Sequence, residues 1–246
     1  MSWRPEPEDA PRLGVMTLLH ARHAYIRAIA ASIRQMCLPV EWQIVLNRPT
    51  SKVVAELNAA LARLHPSVRP TLLDAPFSPL DKVERFMELR QWQLERLSPC
   101  DYAALWDDDH VLGDPKAVRA TLLENPDLVY ATKTFFWDND ASVNTRLPPH
   151  RSAFFFRYLA GDAFPLDRTI HAPARVHDTA KIVVDLPGGL LDYGYMTLED
   201  RERCWRDYKR VGKIDAATLP LIQPPVLAGW PGPYPLRRDP DDEPIE

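Results

Sequence analysis

At 246 residues, 46% of them hydrophobic, the chain is long enough to bury a substantial core as one domain. Its 30 Lys and Arg are offset by 34 Asp and Glu, a formal charge of −4, and no basic run marks a duplex-DNA or anionic-membrane footprint. Residues 1–12 form a polar lead with no basic n-region or apolar h-region, and no run of ~18 apolar residues occurs, so the sequence predicts no integral membrane segment and a cytoplasmic location. Residues 13–20 form a short apolar run. Residues 21–36 then carry Tyr25, Ile26, Ile29, Ile33 and Met36 at helical spacing, which predicts a strand followed by a helix. The pattern repeats with a strand over 41–47, a helix over 50–64 and a strand over 68–74. A longer amphipathic helix follows over 80–97, with Val83, Phe86, Leu89 and Leu94 inward. A fourth apolar run, 102–106, ends in the triplet Asp107-Asp108-Asp109, and Pro115 near the start of 116–124 suits the first turn of a helix. Strands alternating with helices predict an α/β fold with a mostly parallel central sheet covered on both faces.

From Leu128 the character changes. One more strand, 128–133, is followed by aromatic, Asp-, Asn- and Pro-rich sequence to Arg151 and then the apolar run 153–156, a pattern of hairpins and loops. Gly188-Gly189 after Pro187 marks a turn before the strand that bears Asp192. Thr197, with Asp200 three residues on, forms a capping arrangement that opens a helix over 198–210. The organisation is thus a βα half at 13–133, a loop- and hairpin-rich half of the same domain at 134–211, and a proline-rich arm at 212–246. Cys37, Cys100 and Cys204 are far apart and lack C-x-x-C spacing, which argues against a disulfide framework or a structural zinc.

In a parallel α/β sheet, ligands gather at the carboxyl ends of the strands, and the acidic triplet lies at the end of the fourth predicted strand. Carboxylates at alternate positions can point toward one hard cation, and Mg²⁺ or Mn²⁺ held in this way can neutralise a diphosphate. An isolated D-x-D is as readily an acidic turn ahead of a helix; its place at a strand end is what favours the cation.

On these residues the sequence resembles the family 2-like glycosyltransferases with the GT-A fold. The resemblance covers about residues 13–211. It rests on the first strand and helix, on Leu105-Trp106-Asp107-Asp108-Asp109 as the D-x-D segment, and on Leu191-Asp192-Tyr193-Gly194-Tyr195-Met196 followed by Glu199-Asp200-Arg201. It implies a nucleoside-diphosphate sugar as donor, UDP-linked in such enzymes, with residues 134–211 as the acceptor half. Asp109 would be the direct metal ligand, Asp107 would lie near the ribose or the metal with Asp108 beside the nucleotide, and Thr17, Leu19, His20 and Asn47 would line the base. The family commonly has Asp where this chain has Asn47-Arg48, and His where this chain has Asp192, itself a ligand for a hard cation. Lys82 and Arg85, at the start of the third helix, either reach the base or diphosphate or belong to a solvated helix face.

Transfer with inversion needs a group that takes the acceptor's proton while the diphosphate leaves from the opposite side. The resemblance puts an acidic motif in the region of His177-Asp178, so Asp178 is the nominated base and Asp138 its rival. Phe135, Phe136, Trp137 and Phe154 to Phe156 either face an acceptor or belong to the core, and His171 and His177 are either structural or ligands. The acceptor is a saccharide, lipid or protein hydroxyl, or else a hydroxylated DNA base whose phosphates would meet Arg146, Arg151, Arg157, Arg168 and Arg175. The non-enzymatic alternative is a carbohydrate-binding protein on a degenerate GT-A fold. Residues 17–22 contain no glycine, which sets aside a nucleotidyltransferase, a dinucleotide enzyme and a methyltransferase.

Overall fold

The computed structural model describes residues 10–19, 25–47, 49–76, 83–147, 150–159, 162, 180–194, 197–210 and 227–229. The chain lays down β1 (Leu13–Leu19), α1 (Ile26–Met36), β2 (Val40–Leu46), α2 (Ser51–Leu61), β3 (Val68–Asp74), α3 (Val83–Leu94) and β4 (Tyr102–Leu105). These four strands are parallel in the order β3-β2-β1-β4. β1 is buried at every position, as a strand covered on both faces must be. Its alternate side chains divide between the two layers. Leu13, Val15 and Leu19 pack with Ile29, Ile33 and Met36 of α1, and Met16 and Leu18 lie in the clusters that hold Met87, Leu89 and Leu94 of α3. Local signals start and stop the helices: the Thr50 hydroxyl caps α2 by accepting from Val53 N–H at 3.3 Å, and Cys37 ends α1 in a left-handed conformation.

The sheet then continues in the opposite sense. β5 (His110–Leu112) precedes α4 (Pro115–Leu123), whose cap is Asp114 and whose first residue is the expected proline. β6 (Leu128–Trp137), β7 (Asn139–Asn144) and β8 (His150–Arg157) follow, with β8 between β4 and β6 and antiparallel to both. β9 (Val183–Asp185) and β10 (Leu190–Asp192) run parallel to β6, and β10 also pairs antiparallel with β5. α5 (Leu198–Arg210) opens on the predicted cap, with Asp200 N–H donating to the Thr197 hydroxyl at 3.1 Å and that hydroxyl to the Asp200 carboxylate at 2.5 Å. Within the proline-rich stretch, β11 (Leu227–Gly229) pairs antiparallel with β7. Among the described residues no helix is long and apolar enough to cross a membrane.

Two differences from the sequence reading bear on the site. β5 occupies sequence read as the lead into a helix, and β6 runs through Phe135, Phe136 and Trp137, where loops were expected. Both depend on pairing with β10, far away in the chain, which local periodicity does not register. The turn Gly188-Gly189 delivers β10 to that place: both glycines have positive φ (76° and 59°), and a Cβ on Gly188 would lie 2.6 Å from the backbone nitrogen of Asp114. Because β1 is flanked by β2 on one side and β4 on the other, the order of strands reverses beside it. The carboxyl ends of β1 and β4 therefore open a crevice, the usual place for a ligand in such sheets.

Asp127 ties the returning segment down. Its carboxylate accepts from the backbone N–H groups of Lys181 and Ile182, both at 2.9 Å, and from Arg157 Nε at 3.3 Å. These bonds, the backbone ones foremost, hold its pKa below the ordinary carboxylate value. A depressed folded-state pKa means that this stabilisation is complete above the unfolded pKa of about 3.9 and is lost as pH falls through the folded value. Asp127→Asn is expected to flatten the acid limb of the stability curve below about pH 4. Urea denaturation across a pH series checks this, and an acid limb as steep as the wild type's would count against it.

Candidate metal and nucleotide site

Asp107 and Asp108 follow β4 at the mouth of the crevice, and α3 supplies the charge beneath them. Arg90, 2% exposed, lies on the face of α3 turned to the sheet. Its Nη1 donates to Met16 O at 3.4 Å and to Gln93 Oε1 at 3.2 Å, and its Nη2 meets Asp107 Oδ1 at 2.5 Å. Gln93 Nε2 donates to Thr17 O at 3.3 Å. Burial lowers the Arg90 pKa, and Asp107 and Asp108 oppose that shift, which keeps the guanidinium charged. The pair fixes Asp107 to the end of β1 while leaving its side chain 31% exposed.

The next two residues meet a carboxylate from the second half of the chain. Pairing of β5 with β10 sets His110 opposite Asp192, and His110 Nε2 lies 3.1 Å from Asp192 Oδ2 and 3.6 Å from Asp109 Oδ1. Asp109, His110 and Asp192 each offer one ligand atom, all within 4.8 Å of one another. His110 is held by a bond from Trp106 Nε1 to its carbonyl at 2.7 Å and by its own N–H to Asp107 O at 3.1 Å. Tyr193 N–H donates to Asp109 O at 2.9 Å, and Tyr193 stacks between Tyr25 and Phe136, with centroids at 5.2 and 4.7 Å. Gly194 N–H donates to Asp192 Oδ1 at 2.9 Å, and a Cβ on Gly194 would come within 2.4 Å of Asp109 Oδ2. Glycine is therefore what leaves room for the Asp109 carboxylate. The Cys204 thiol donates to Gly194 O at 3.7 Å; burial pushes its pKa up to about 12, so it stays a neutral donor.

Lys133 of β6 completes the surroundings, its Nζ 2.8 Å from His110 Nε2 and 3.8 Å from Asp192 Oδ2. Burial works against charge on Asp192, but His110, Lys133 and the Gly194 N–H outweigh it and hold the carboxyl below its ordinary pKa, ionised and able to bind a cation. Burial and Lys133 press His110 toward the neutral form, while Asp109 and Asp192 press it toward the charged form and prevail. Two carboxylates and an imidazole converging in this way fit a divalent cation of the Mn²⁺ or Mg²⁺ kind.

The structure brings Asp109 and Asp192 together and adds His110. Asp107, expected as a ligand, has one oxygen committed to Arg90, and Asp108 is buried beside it. Thr17 and Leu19 were expected to line the base; their side chains point instead into the core. The Thr17 hydroxyl accepts from Trp42 Nε1 at 3.0 Å and Leu19 packs in the α1 layer, because alternate positions of a doubly covered strand face inward on both sides. Asn47 stands at the end of β2 with its N–H bonded to Leu19 O at 3.1 Å. Arg85 falls on the first turns of α3; His20, Lys82, Asp178, His171, His177, Arg168 and Arg175 lie outside the described residues. Asp138 adopts φ 63° in the β6–β7 turn and pairs with Arg201 Nη2 at 2.9 Å, while Arg201 also covers the Trp137 ring. Phe136, Trp137, Phe154, Phe155 and Phe156 are core residues. Arg151 pairs with Asp185 and Arg157 with Asp127, so both tie strands together.

Arg90, His110 and Lys133 were not singled out from sequence. Arg90 is a charge four residues after Phe86 on the stripe that the sequence predicts to face inward, and Lys133 ends an apolar strand run; each carried a signal. His110 acquires its role only through Asp192, 82 residues on.

The two ends of the triplet should respond differently to truncation. Asp107→Ala leaves a buried guanidinium without its carboxylate and is expected to cost roughly 3 kcal/mol of stability. Asp109→Ala removes one of several like charges and should stay within about 1 kcal/mol of wild type. Urea denaturation of both variants decides this, and equal losses would contradict the division of roles.

No family model matches the chain, and no curated protein matches it. Among solved structures, S. aureus TarS is similar at 12% identity with a TM-score of 0.52, over 84% of this chain and 41% of that one, so the chain spans less than half of that TarS chain. A crystal structure of S. aureus TarS 1-349 in complex with UDP matches at 8% identity and TM-score 0.48, over 86% and 69% of the two chains. Glucosyl-3-phosphoglycerate synthase from Mycobacterium tuberculosis, in complex with Mg²⁺ and UDP, matches at 14% identity and TM-score 0.44, over 90% and 88%. The likeness to TarS is one of architecture: a mixed α/β chain with a large curled sheet whose parallel part ends in the acidic triplet, this protein has the GT-A-type glycosyltransferase fold.

Proposed function

We propose that the chain is a metal-dependent glycosyltransferase that moves a sugar from a UDP-linked nucleoside-diphosphate sugar to a hydroxyl acceptor, with inversion. The observation that carries this reading is the convergence of Asp109, His110 and Asp192 at the strand-end crevice of a GT-A-type sheet. An imidazole among the donors favours Mn²⁺ over Mg²⁺, because carboxylates suit both ions and imidazole suits the softer one. A cation held there would neutralise the charge that the diphosphate gains as the bond to the sugar breaks. Asp107, fixed by Arg90 and partly open to the crevice, offers a preorganised acceptor to a ribose hydroxyl. Asn47 and His20 remain the proposed neighbours of the base, and Lys82 and Arg85 those of the diphosphate.

The acceptor hydroxyl would bind among the residues after Lys133 and give its proton to a carboxylate. Asp178 is the proposed base. Asp138 is the weaker nominee, since its charge is engaged by Arg201. A saccharide, lipid or protein acceptor fits better than a hydroxylated DNA base, because Arg151 and Arg157 are committed to Asp185 and Asp127. A non-catalytic carbohydrate-binding protein would have no need for an ionised, buried Asp192 facing Asp109.

Isothermal titration with UDP and GDP, each with Mn²⁺ and with chelator, tests the donor site. UDP is expected to bind with Mn²⁺ and to lose that binding in chelator and in Asp109→Asn. Gly194→Ala should lose it too, with little change in melting temperature, because the added methyl displaces the Asp109 carboxylate and crowds Asp192 Oδ1, leaving the core untouched. Failure of both nucleotides to bind in the presence of Mn²⁺ would sink the donor assignment.

A further inference from the structure

Lys133 is the residue that the donor reading leaves without a task. Its place in β6 pairs it with His150 of β8 on one side and Leu190 of β10 on the other, and its side chain is 10% exposed. A lysine so buried needs an acceptor, and Nζ finds His110 Nε2 at 2.8 Å with Asp192 Oδ2 at 3.8 Å. An ammonium has only protons to offer, and a protonated imidazole nitrogen facing it would be a second donor. The Nε2 lone pair that a divalent cation needs is the one Lys133 engages. Nζ also stands within reach of the Asp192 oxygen that the same ion would require.

We propose that Lys133 is the resident counter-cation of the Asp109–His110–Asp192 site, that a divalent cation must displace it to bind, and that it thereby sets the site's metal affinity. This rests on reading the triad as a metal site. Lys133 suits the role because its charge is a compact point on a flexible four-carbon stem, which can swing aside; the neighbouring Arg90, clamped by Asp107 and two further acceptors, cannot. With Nζ in place the buried Asp192 carboxylate faces a cation in the metal-free protein, and with the ion in place it faces another. The site is never left as bare buried acid.

The test is titration of Mn²⁺ into the full chain, followed by calorimetry and by the loss of the free-ion electron paramagnetic resonance signal. Wild type and Lys133→Met are compared, each with and without Asp109→Asn. Lys133→Met is expected to bind Mn²⁺ at least tenfold more tightly than wild type. Its metal-free form should melt at a lower temperature, and saturating Mn²⁺ should raise its Tm by more than it raises the wild type's. Equal or weaker binding in Lys133→Met, with Asp109→Asn still abolishing binding in both backgrounds, overturns the role of Lys133 and leaves the metal site standing. Absence of binding in both proteins, or binding indifferent to Asp109→Asn, overturns the site and this proposal with it. If Lys133→Met does not fold, Lys133→Gln, which keeps a neutral donor for His110, is read by the same criteria.

Discussion

Pairing of three residues of β5 with three of β10 is the constraint on which the site depends. One register, Asp192 opposite His110, joins the half of the chain that builds the parallel sheet to the half that returns across it. Because side chains alternate across a sheet, a slip of one residue would turn Asp192 to the opposite face and leave His110 facing Leu191. The register is defended from both ends. Gly188 and Gly189 bring the chain into β10 through a turn that needs positive φ, and Gly194 lets it leave without striking Asp109. Tyr193, stacked between Tyr25 and Phe136, anchors the exit in the core.

That junction concentrates charge where water is scarce, and the fold meets the cost in two separate ways. Asp109 and Asp192, with ligand atoms within 4.8 Å, would repel each other by about 3 kcal/mol at an effective dielectric constant of 20. Asp107 is excluded from this repulsion by Arg90, which is anchored to backbone at Met16 and so belongs to the scaffold. The remaining pair faces Lys133, whose Nζ lies 2.8 Å from His110 Nε2 and 3.8 Å from Asp192 Oδ2. One aspartate of the triplet is thereby structural and another is available to a ligand, though the two are only one residue apart. The same division explains how an acidic triplet can follow a buried strand without unravelling its end.

The parallel half was legible in the sequence because each of its elements announces itself locally. Leu13–Leu19 is a mostly apolar run, α1 carries a helical stripe that ends at Met36, and Pro115 marks the first turn of α4. The returning half was legible only in part: the start of β6, the strand bearing Asp192 and the capped α5 could be read, and the other strands could not. β7 is rich in Asn, Asp and Ser, β9 and β11 are three residues long, and β5 begins directly after three aspartates. Such strands persist because a distant partner completes their hydrogen bonds, and no pattern within them reports that partner. The site divides along the same line. Asp109 could be nominated from its place after a strand end and Asp192 through the resemblance, but His110 enters only through its register partner. Thr17 and Leu19 were nominated through the resemblance alone, and their side chains are buried because β1 stays covered on both faces to its last residue.

Burial also assigns the two carboxylates different parts. Asp192 is 4% exposed, held through both oxygens by Gly194 N–H and His110 Nε2, and kept ionised by the charges around it. Asp109 is 21% exposed, with its backbone carbonyl fixed by Tyr193. A cation arriving from solvent would meet Asp109 first and come to rest against Asp192 and His110. The ligand that has to move is the one with room to do so, and the ligands that define the resting position are those that the β5–β10 pairing makes rigid. On the proposed reading of the site, one more exposed and one buried carboxylate would let it take an ion from water and hold it in one geometry against a diphosphate.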